Sequence, residues 1–393
     1  MTTVQFLSHL RQLDVAVWLD GDQLRFRFPK GTLTPELRHQ LTQRKLEMLA
    51  YLQQANGTSS SIEQQIYPMP RPELIPLSFS QQRLWFLQQL EPGSATYNIP
   101  EVLRLRGPLD ATALEQALNE IRQRHETLRT TFVENDGNIA QIIAPAVPVP
   151  LEVFDLTHLS VSEQENEARC LIEAESKAPF DLSQGPLFRA KLICLAADDH
   201  ALLLTLHHII ADGWSMDILG REIGSLYMAL SEQRPFILPP LPIQYADFAL
   251  WQQQWLKGDV LDRQLAYWQQ QLADAPPVLT LPMDRLRPPM QTFVGDVHNF
   301  VLSEQTAVAL KAMCRQEGVT LFMLLLAIFK AQLARYSGQT EIVLGTPIAN
   351  RNRSELEGLI GFFVNTLVLR TDLSGNPTFR ELLLRVRETT LGA

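Results

Sequence analysis

Ala201-Leu202-Leu203-Leu204-Thr205-Leu206-His207-His208-Ile209-Ile210-Ala211-Asp212-Gly213-Trp214-Ser215 is the stretch whose reading sets the fold class. The run Ala201 to Leu206 reads as a buried strand. Asp212-Gly213 is a turn signal, and Ser215 is expected to cap the helix that follows. Two imidazoles, a carboxylate and a glycine therefore share one strand-turn-helix corner. A general base, its structural support and a close backbone approach can coexist there. Adjacent strand residues point to opposite faces, so His207 and His208 cannot both meet one substrate. One is expected to be structural and the other available. Two buried, hydrogen-bonded histidines are the competing reading. Zinc is disfavoured, because Asp212 is a poor complement and no Cys or third His stands nearby at ligand spacing.

Outward from that corner, strand-like and helical patterns alternate beyond Pro76. Val102 to Leu105 reads as a strand, and Asp110 to His125 as a helix with Leu114, Leu118 and Ile121 on its apolar stripe. Phe132-Val133 and Ile139 to Ile143 form a predicted hairpin about Asn135-Asp136-Gly137. Glu163 to Lys177 is a predicted amphipathic helix, followed by a strand from Leu187 to Leu195. After the proline-rich stretch from Pro235 to Pro242, Tyr245 to Leu272 reads as one Trp- and Gln-rich helical region. A second set begins near Val294, with a predicted strand to Leu302, helices Ser303 to Glu317 and Leu321 to Tyr336, and a strand Ile342 to Thr346. Two α/β lobes follow from this pattern.

Ala55 to Ile66 is rich in Asn, Gly, Ser, Thr and Gln, and Pro68, Pro70, Pro72 and Pro76 come next, which predicts a linker. Ahead of it, Val4, Phe6, Leu7, Leu10 and Leu13 recur at helical spacing. Val15, Val17 and Leu19 alternate, as do Leu24, Phe26 and Phe28, around the turn signal Asp20-Gly21-Asp22. Thr34-Pro35 opens a helical stretch to Gln54, with a break near Thr42. The order is helix, hairpin, helix, helix. A two-stranded hairpin leaves an open edge that can capture a partner strand, and a stabilised N-terminal appendage is the alternative.

The pattern His207-His208-x-x-x-Asp212-Gly213 resembles the core motif of condensation domains in nonribosomal peptide synthetases. Four further stretches resemble that family's other motifs, in the family's order: Ser78 to Leu87 (SFSQQRLWFL), Arg124 to Phe132 (RHETLRTTF), Tyr245 to Trp251 (YADFALW) and Ile360 to Arg370 (IGFFVNTLVLR). The resemblance implies two chloramphenicol-acetyltransferase-like lobes in a V, residues 76–250 and 251–393. The second lobe is expected to be incomplete, because such domains continue past the fifth motif. Residues 1–54, with Trp18-Leu19-Asp20-Gly21 followed by Leu24-Arg25-Phe26, resemble the N-terminal docking domains of multi-subunit synthetases, joined through a linker at 55–75.

The implied reaction is amide formation between two carrier-bound thioesters. His208 takes the central role, as base or as positioner of the amine, with the Gly213 N–H as a candidate oxyanion donor. His207 and Asp212 are expected to be structural. Arg351 is the first choice as partner of Asp212, with Arg124 second. Trp214 and Ser215 are candidates for lining the channel, and Arg83, Trp85, Arg129 and Asn365 are expected to be architectural. Thr96 to Pro100 looks like a domain accepting an L-configured donor. An epimerisation domain, a free-standing acyltransferase and a docking fragment without activity of its own are the rival readings. A heterocyclising domain would carry aspartates in place of the histidines.

The implied partners are upstream and downstream peptidyl carriers bearing 4'-phosphopantetheine, an adenylation domain in the parent protein, and the acidic C-terminal docking peptide of an upstream subunit. That peptide would lie against Leu24, Arg25, Phe26, Arg27, Phe28 and Lys30. No cofactor bound by the chain itself is expected. The formal net charge of −9 over 393 residues offers no basic face to nucleic acid. The longest apolar run, Leu321 to Phe329, is too short for a membrane span and reads as a buried helix after a Thr320 cap. Met1 to Gln5 carries no signal peptide, and the three cysteines read as reduced core residues, so a cytoplasmic location is expected.

Overall fold

The structure is a computed structural model that describes residues 16–20, 23–27, 41, 44, 45, 47–49 and 65–393, apart from 236, 287, 290–294 and 296. The chain forms two compact units, Met1–Gln65 and Ile66–Ala393. In the first, β1 (Ala16–Asp20) and β2 (Gln23–Arg27) pair antiparallel from Ala16↔Arg27 to Asp20↔Gln23. This is the register expected around Asp20-Gly21-Asp22. Phe28, Lys30 and most of the helices anticipated on either side lie outside the described residues.

The second unit opens earlier than composition suggested. Ile66 is buried, and the Met69 N–H donates to Asp247 Oδ1 at 2.9 Å, so the stretch placed in a linker to residue 75 is partly packed. Next come β3 (Ile75–Pro76), α1 (Phe79–Leu90), β4 (Asn98–Arg106), α2 (Ala111–Arg124), β5 (Thr130–Asn135) and β6 (Asn138–Ile143). These are followed by β7 (Glu152–Asp155), α3 (Val161–Lys177), β8 (Phe188–Ala196), β9 (Asp199–His207) and α4 (Gly213–Ser231). The main sheet has the order β4-β9-β8-β7, antiparallel except for β7 with β8. Strand β9 lies between two neighbours, and Ala201 to His207 are all buried, which is why its apolar residues run without alternation. Strand β4 begins four residues before the expected start. Pro100 obscured it, and proline is tolerated there because β4 is an edge strand. The β5–β6 turn at Asp136 and Gly137 has φ of 50° and 78°, the left-handed pair that a two-residue hairpin favours.

Helix α2 packs on α4 and α3 on β4 and β9, closing a core that includes Leu118, Ile121, Phe132, Leu192, Leu204, Leu206 and Leu219. The helical region predicted over Tyr245 to Leu272 is two helices, α5 (Tyr245–Trp255) and α6 (Asp259–Leu272), broken where Gly258 takes φ 54°. The strand predicted to Leu302 is absent among the described residues. Residues 297–302 form no strand, and Val297, Phe300 and Val301 are largely exposed.

The remaining elements are α7 (Glu304–Glu317), α8 (Leu321–Ser337), β10 (Glu341–Ile348), α9 (Ser354–Glu357), β11 (Asn365–Asp372) and α10 (Phe379–Gly392). Ser303 caps α7, and Thr320 Oγ1 caps α8 by accepting from the Met323 N–H. Strands β10 and β11 pair antiparallel from Glu341↔Asp372 to Ile348↔Asn365, with α8 and α10 packed on them. No single helix among the described residues is long and apolar enough to cross a membrane.

Candidate active site

Strand β9 ends at His207, and the ladder runs one bond further, with the His208 N–H donating to the Tyr97 carbonyl at 2.8 Å. The chain then turns, the Ile210 N–H reaching the His207 carbonyl at 3.0 Å, and enters α4 at Gly213. The helix cap is Asp212, not Ser215. Asp212 Oδ1 accepts from the Ser215 N–H at 2.9 Å, and Ser215 sits in the first helical turn. A carboxylate in this position satisfies a helix N–H and complements the positive end of the helix.

The two histidines have different environments. His207 Nδ1 accepts from the Ile209 N–H at 3.1 Å, which puts the ring proton on Nε2. His207 is fully buried against Phe180 and Tyr97, ring centroids 6.0 and 6.3 Å away. Burial, with the neighbouring His208 charge, pushes its pKa down to about 3. The ring is therefore neutral. His208 is half-buried, and its Nδ1 lies 2.8 Å from the Ala211 carbonyl. A carbonyl only accepts, so Nδ1 carries a proton and Nε2 holds the lone pair of the neutral ring. Phe362 stands against His208 edge-on at 5.0 Å.

Asp212 is saturated with donors. Besides the Ser215 N–H, Oδ1 accepts from Ser215 Oγ at 2.7 Å and Arg351 Nη2 at 3.0 Å, and Oδ2 accepts from the Phe363 N–H at 3.1 Å. The Asp212 and Arg351 side chains are each 1% exposed. Arg351 Nη1 donates to the carbonyls of Leu356 and Leu359, both at 2.6 Å, and the guanidinium lies 4.0 Å from the Phe363 ring centre. Burial pulls the Arg351 pKa down, and Asp212 opposes that shift. A carboxylate held in this way anchors the 356–363 loop onto α4, and its burial keeps it from a substrate proton. Arg124 lies elsewhere: its Nε is 3.2 Å from Glu222 Oε1, so the second-choice partner of Asp212 belongs to a different cluster. His125 Nε2 contacts the other Glu222 oxygen at 2.9 Å. Burial pushes the Glu222 carboxyl up, but the hydrogen bonds and charges of His125 and Arg124 outweigh it and hold the pKa below the usual value.

Of the remaining predicted residues, Gly213 is exposed with open space where a Cβ would stand, and its N–H donates to no group among the described residues. Trp214 is 45% exposed, its Nε1 donating to the Glu357 carbonyl at 3.0 Å. Ser215 is wholly buried in the Asp212 network and lines no open channel. Arg83 and Asn365 are exposed, Trp85 is half-buried, and Arg129 Nη1 donates to the Ala144 carbonyl.

Sequence reasoning missed the second layer. The Tyr245 hydroxyl donates to the Phe362 carbonyl at 2.5 Å and is 2.8 Å from Ser78 Oγ. Burial pushes the Tyr245 pKa up, so it remains a donor. Gln81 Nε2 donates to the Ile209 carbonyl at 3.2 Å. A Cβ on Gly361 would sit 2.0 Å from Tyr245 Cδ2, so only glycine fits against that ring. All four residues fall inside motifs read from the sequence. Their roles were hidden because they act across separations such as the 167 residues between Ser78 and Tyr245.

Comparison with known proteins then places the chain. Residues 72–393 match the family model of the condensation domain, and residues 4–54 match that of the TubC N-terminal docking domain. The chain is 52% identical to a linear gramicidin synthase from Brevibacillus parabrevis over 86% of its own length, and spans 4% of that relative. It is similar to the X-domain in its complex with OxyB from teicoplanin biosynthesis, with 32% identity, TM-score 0.75, and coverage of 84% of this chain and 72% of that one. The first condensation domain of the calcium-dependent antibiotic synthetase shares the fold at TM-score 0.70 and 24% identity, with coverage of 82% and 75%.

Proposed function

Because the chain belongs to the condensation-domain family and carries a docking segment ahead of that domain, we propose that it forms an amide bond between two carrier-bound thioesters. The acceptor amine attacks the donor thioester carbonyl. The C–N bond forms, the C–S bond breaks, and the donor arm leaves as a thiol. The 4'-phosphopantetheine arms enter as substrate, on the upstream and downstream carriers. The thioester is already activated, so alignment of the two arms and stabilisation of the tetrahedral oxyanion carry most of the rate.

The contrast between Asp212 and His208 carries this reading. Asp212 is buried and held by four donors, while His208 is half-buried and presents Nε2 with Nδ1–H held on the Ala211 carbonyl. His208 Nε2 accepts the proton of the attacking amine, or hydrogen-bonds that amine into line. Gly213 N–H, at the positive end of α4, meets the developing oxyanion. His207 is a neutral structural residue at the end of β9. The donor and acceptor carriers are loaded with aminoacyl groups, mixed with the full-length protein, and followed by intact-protein mass spectrometry. The dipeptidyl mass on the acceptor carrier is the expected result.

A second reading has one observation in its favour: a fold of this kind at 32% identity is found in complex with OxyB, so such a domain can serve to hold another protein. Carriers retained in a stable complex at unchanged mass would support it and overturn the first.

The docking segment has its own proposed partner. Among the described residues β2 is paired with β1, and its other edge is the proposed docking site. An acidic C-terminal tail of an upstream subunit adds there as a strand, with Arg25 and Arg27 supplying the charge complement. Charge reversal at both (Arg25→Glu with Arg27→Glu) is expected to abolish binding of such a tail, and undiminished binding would contradict it.

A further inference from the structure

A cavity of about 360 Å³ lies on the face of the second unit where the end of α2, the loop after β6 and the turn before β8 meet. A smaller one of about 180 Å³ adjoins it, and Asn119, Arg122, Val149 and Pro186 line both. The walls are the segment Ala144 to Pro150, Leu187 and the edge of β5, so most of the surface is apolar. Asn119 fixes that segment with a pair of bonds, its Nδ2 donating to the Val149 carbonyl at 3.0 Å and its Oδ1 accepting from the Val149 N–H at 2.8 Å. The cavity is thus bounded by clamped chain.

Arg122 is its unusual feature. The residue is only partly exposed, its Nε is shut off from solvent without a hydrogen-bond partner, and it makes no ion pair among the described residues. Burial draws its pKa below the usual arginine value, with no carboxylate opposing the shift. The other basic residues of the two cavities are engaged. Lys191 and Arg189 pair with Glu175 at 3.0 and 2.5 Å, and Arg129 donates Nη1 to the Ala144 carbonyl, although its Nε is also buried and unpartnered. Glu120, the one acid lining the larger cavity among the described residues, is exposed and pairs with neither arginine. Arg122 thus brings to an apolar recess of ligand size a guanidinium whose terminal nitrogens bond to no group among the described residues, and Arg129 brings a second, with no carboxylate paired to either.

We propose that this recess is a binding site for a small organic anion, a carboxylate with a short aliphatic body. The carboxylate meets Arg122 and Arg129, and the aliphatic part lies along Val147, Pro148 and Leu187. A carboxylate matches the planar guanidinium fork, and a bare phosphate would leave the apolar wall uncovered. The site depends on none of the residues assigned to condensation.

Calorimetric titration of the protein with hexanoate, hexanol and inorganic phosphate tests this at matched ionic strength. Saturable hexanoate binding is expected, with hexanol and phosphate each at least about tenfold weaker, and with Arg122→Met losing about tenfold or more. A melting temperature for Arg122→Met at or above that of the parent shows the variant folded. If that variant does not fold, Arg129→Met is expected to show the same loss. The absence of saturable hexanoate binding, equal affinity for hexanol, or undiminished binding by a folded arginine variant would overturn the proposal.

Discussion

Ala201 to Leu206 and Leu321 to Phe329 are apolar runs of similar composition with opposite fates. In the first, every side chain is buried, because β9 has a strand on each side and helices over the sheet. In the second, Met323, Leu324 and Ala327 are buried while Leu321, Phe322, Leu325, Ile328 and Phe329 are 40% to 49% exposed. A strand in the middle of a sheet is covered on both faces, whereas a helix buries one stripe and leaves the rest to whatever else packs there. Hydrophobicity therefore did not decide burial; the number of neighbours did. The candidate site hangs from the first run, at the end of a strand paired on both sides.

The largest effect is expected where that rigidity is locked by charge. Arg351→Met leaves the Asp212 carboxylate buried without its cation and frees the carbonyls of Leu356 and Leu359. A loss of about 3–5 kcal/mol in urea unfolding is expected, and a loss below about 1 kcal/mol would show that the pair does not hold the loop. Leu204→Ala comes next, at about 2–5 kcal/mol from transfer and cavity terms together. The same substitution at Leu325 is expected to cost about 1 kcal/mol, because that side chain is 42% exposed. Equal losses at the two leucines would break the comparison between the runs.

A pH effect is expected from His207. Its folded pKa of about 3 lies below the ordinary histidine value, so the unfolded chain binds a proton that the folded chain refuses. The stability from the neutral ring is full above about pH 6.5 and is lost as pH falls from there toward 3. Other buried carboxylates titrate in the same direction, so the readout is the difference between parent and His207→Asn. Unfolding midpoints of the two proteins should converge as pH falls through that window; a constant gap would show that His207 does not resist protonation.

Much of this was legible in the sequence. The strand-turn-helix corner, the β5–β6 hairpin, the Thr320 cap and the pairing of Asp212 with Arg351 follow from local patterns or from the need of a buried carboxylate for a cation. The rest depended on distant partners. Asp212 rather than Ser215 caps α4 because its carboxylate also meets Arg351 and Phe363, 139 and 151 residues away. The stretch before Leu302 has the composition of a strand, yet its described residues form none. Tyr245 and Gly361 carry meaning only as a pair, the ring of one filling the space that the other leaves.

The central claim is that two adjacent histidines divide between reaction and structure. Single-turnover transfer between loaded carriers, measured with His208→Ala and His207→Asn in the full-length protein at neutral pH, tests it directly. His208→Ala is expected to slow dipeptide formation by about 10²–10⁴ while unfolding at the same temperature as the parent. His207→Asn is expected to remain within about tenfold of the parent rate at temperatures where it is folded. Unchanged transfer by His208→Ala, or an equal loss in a folded His207→Asn, would contradict the division.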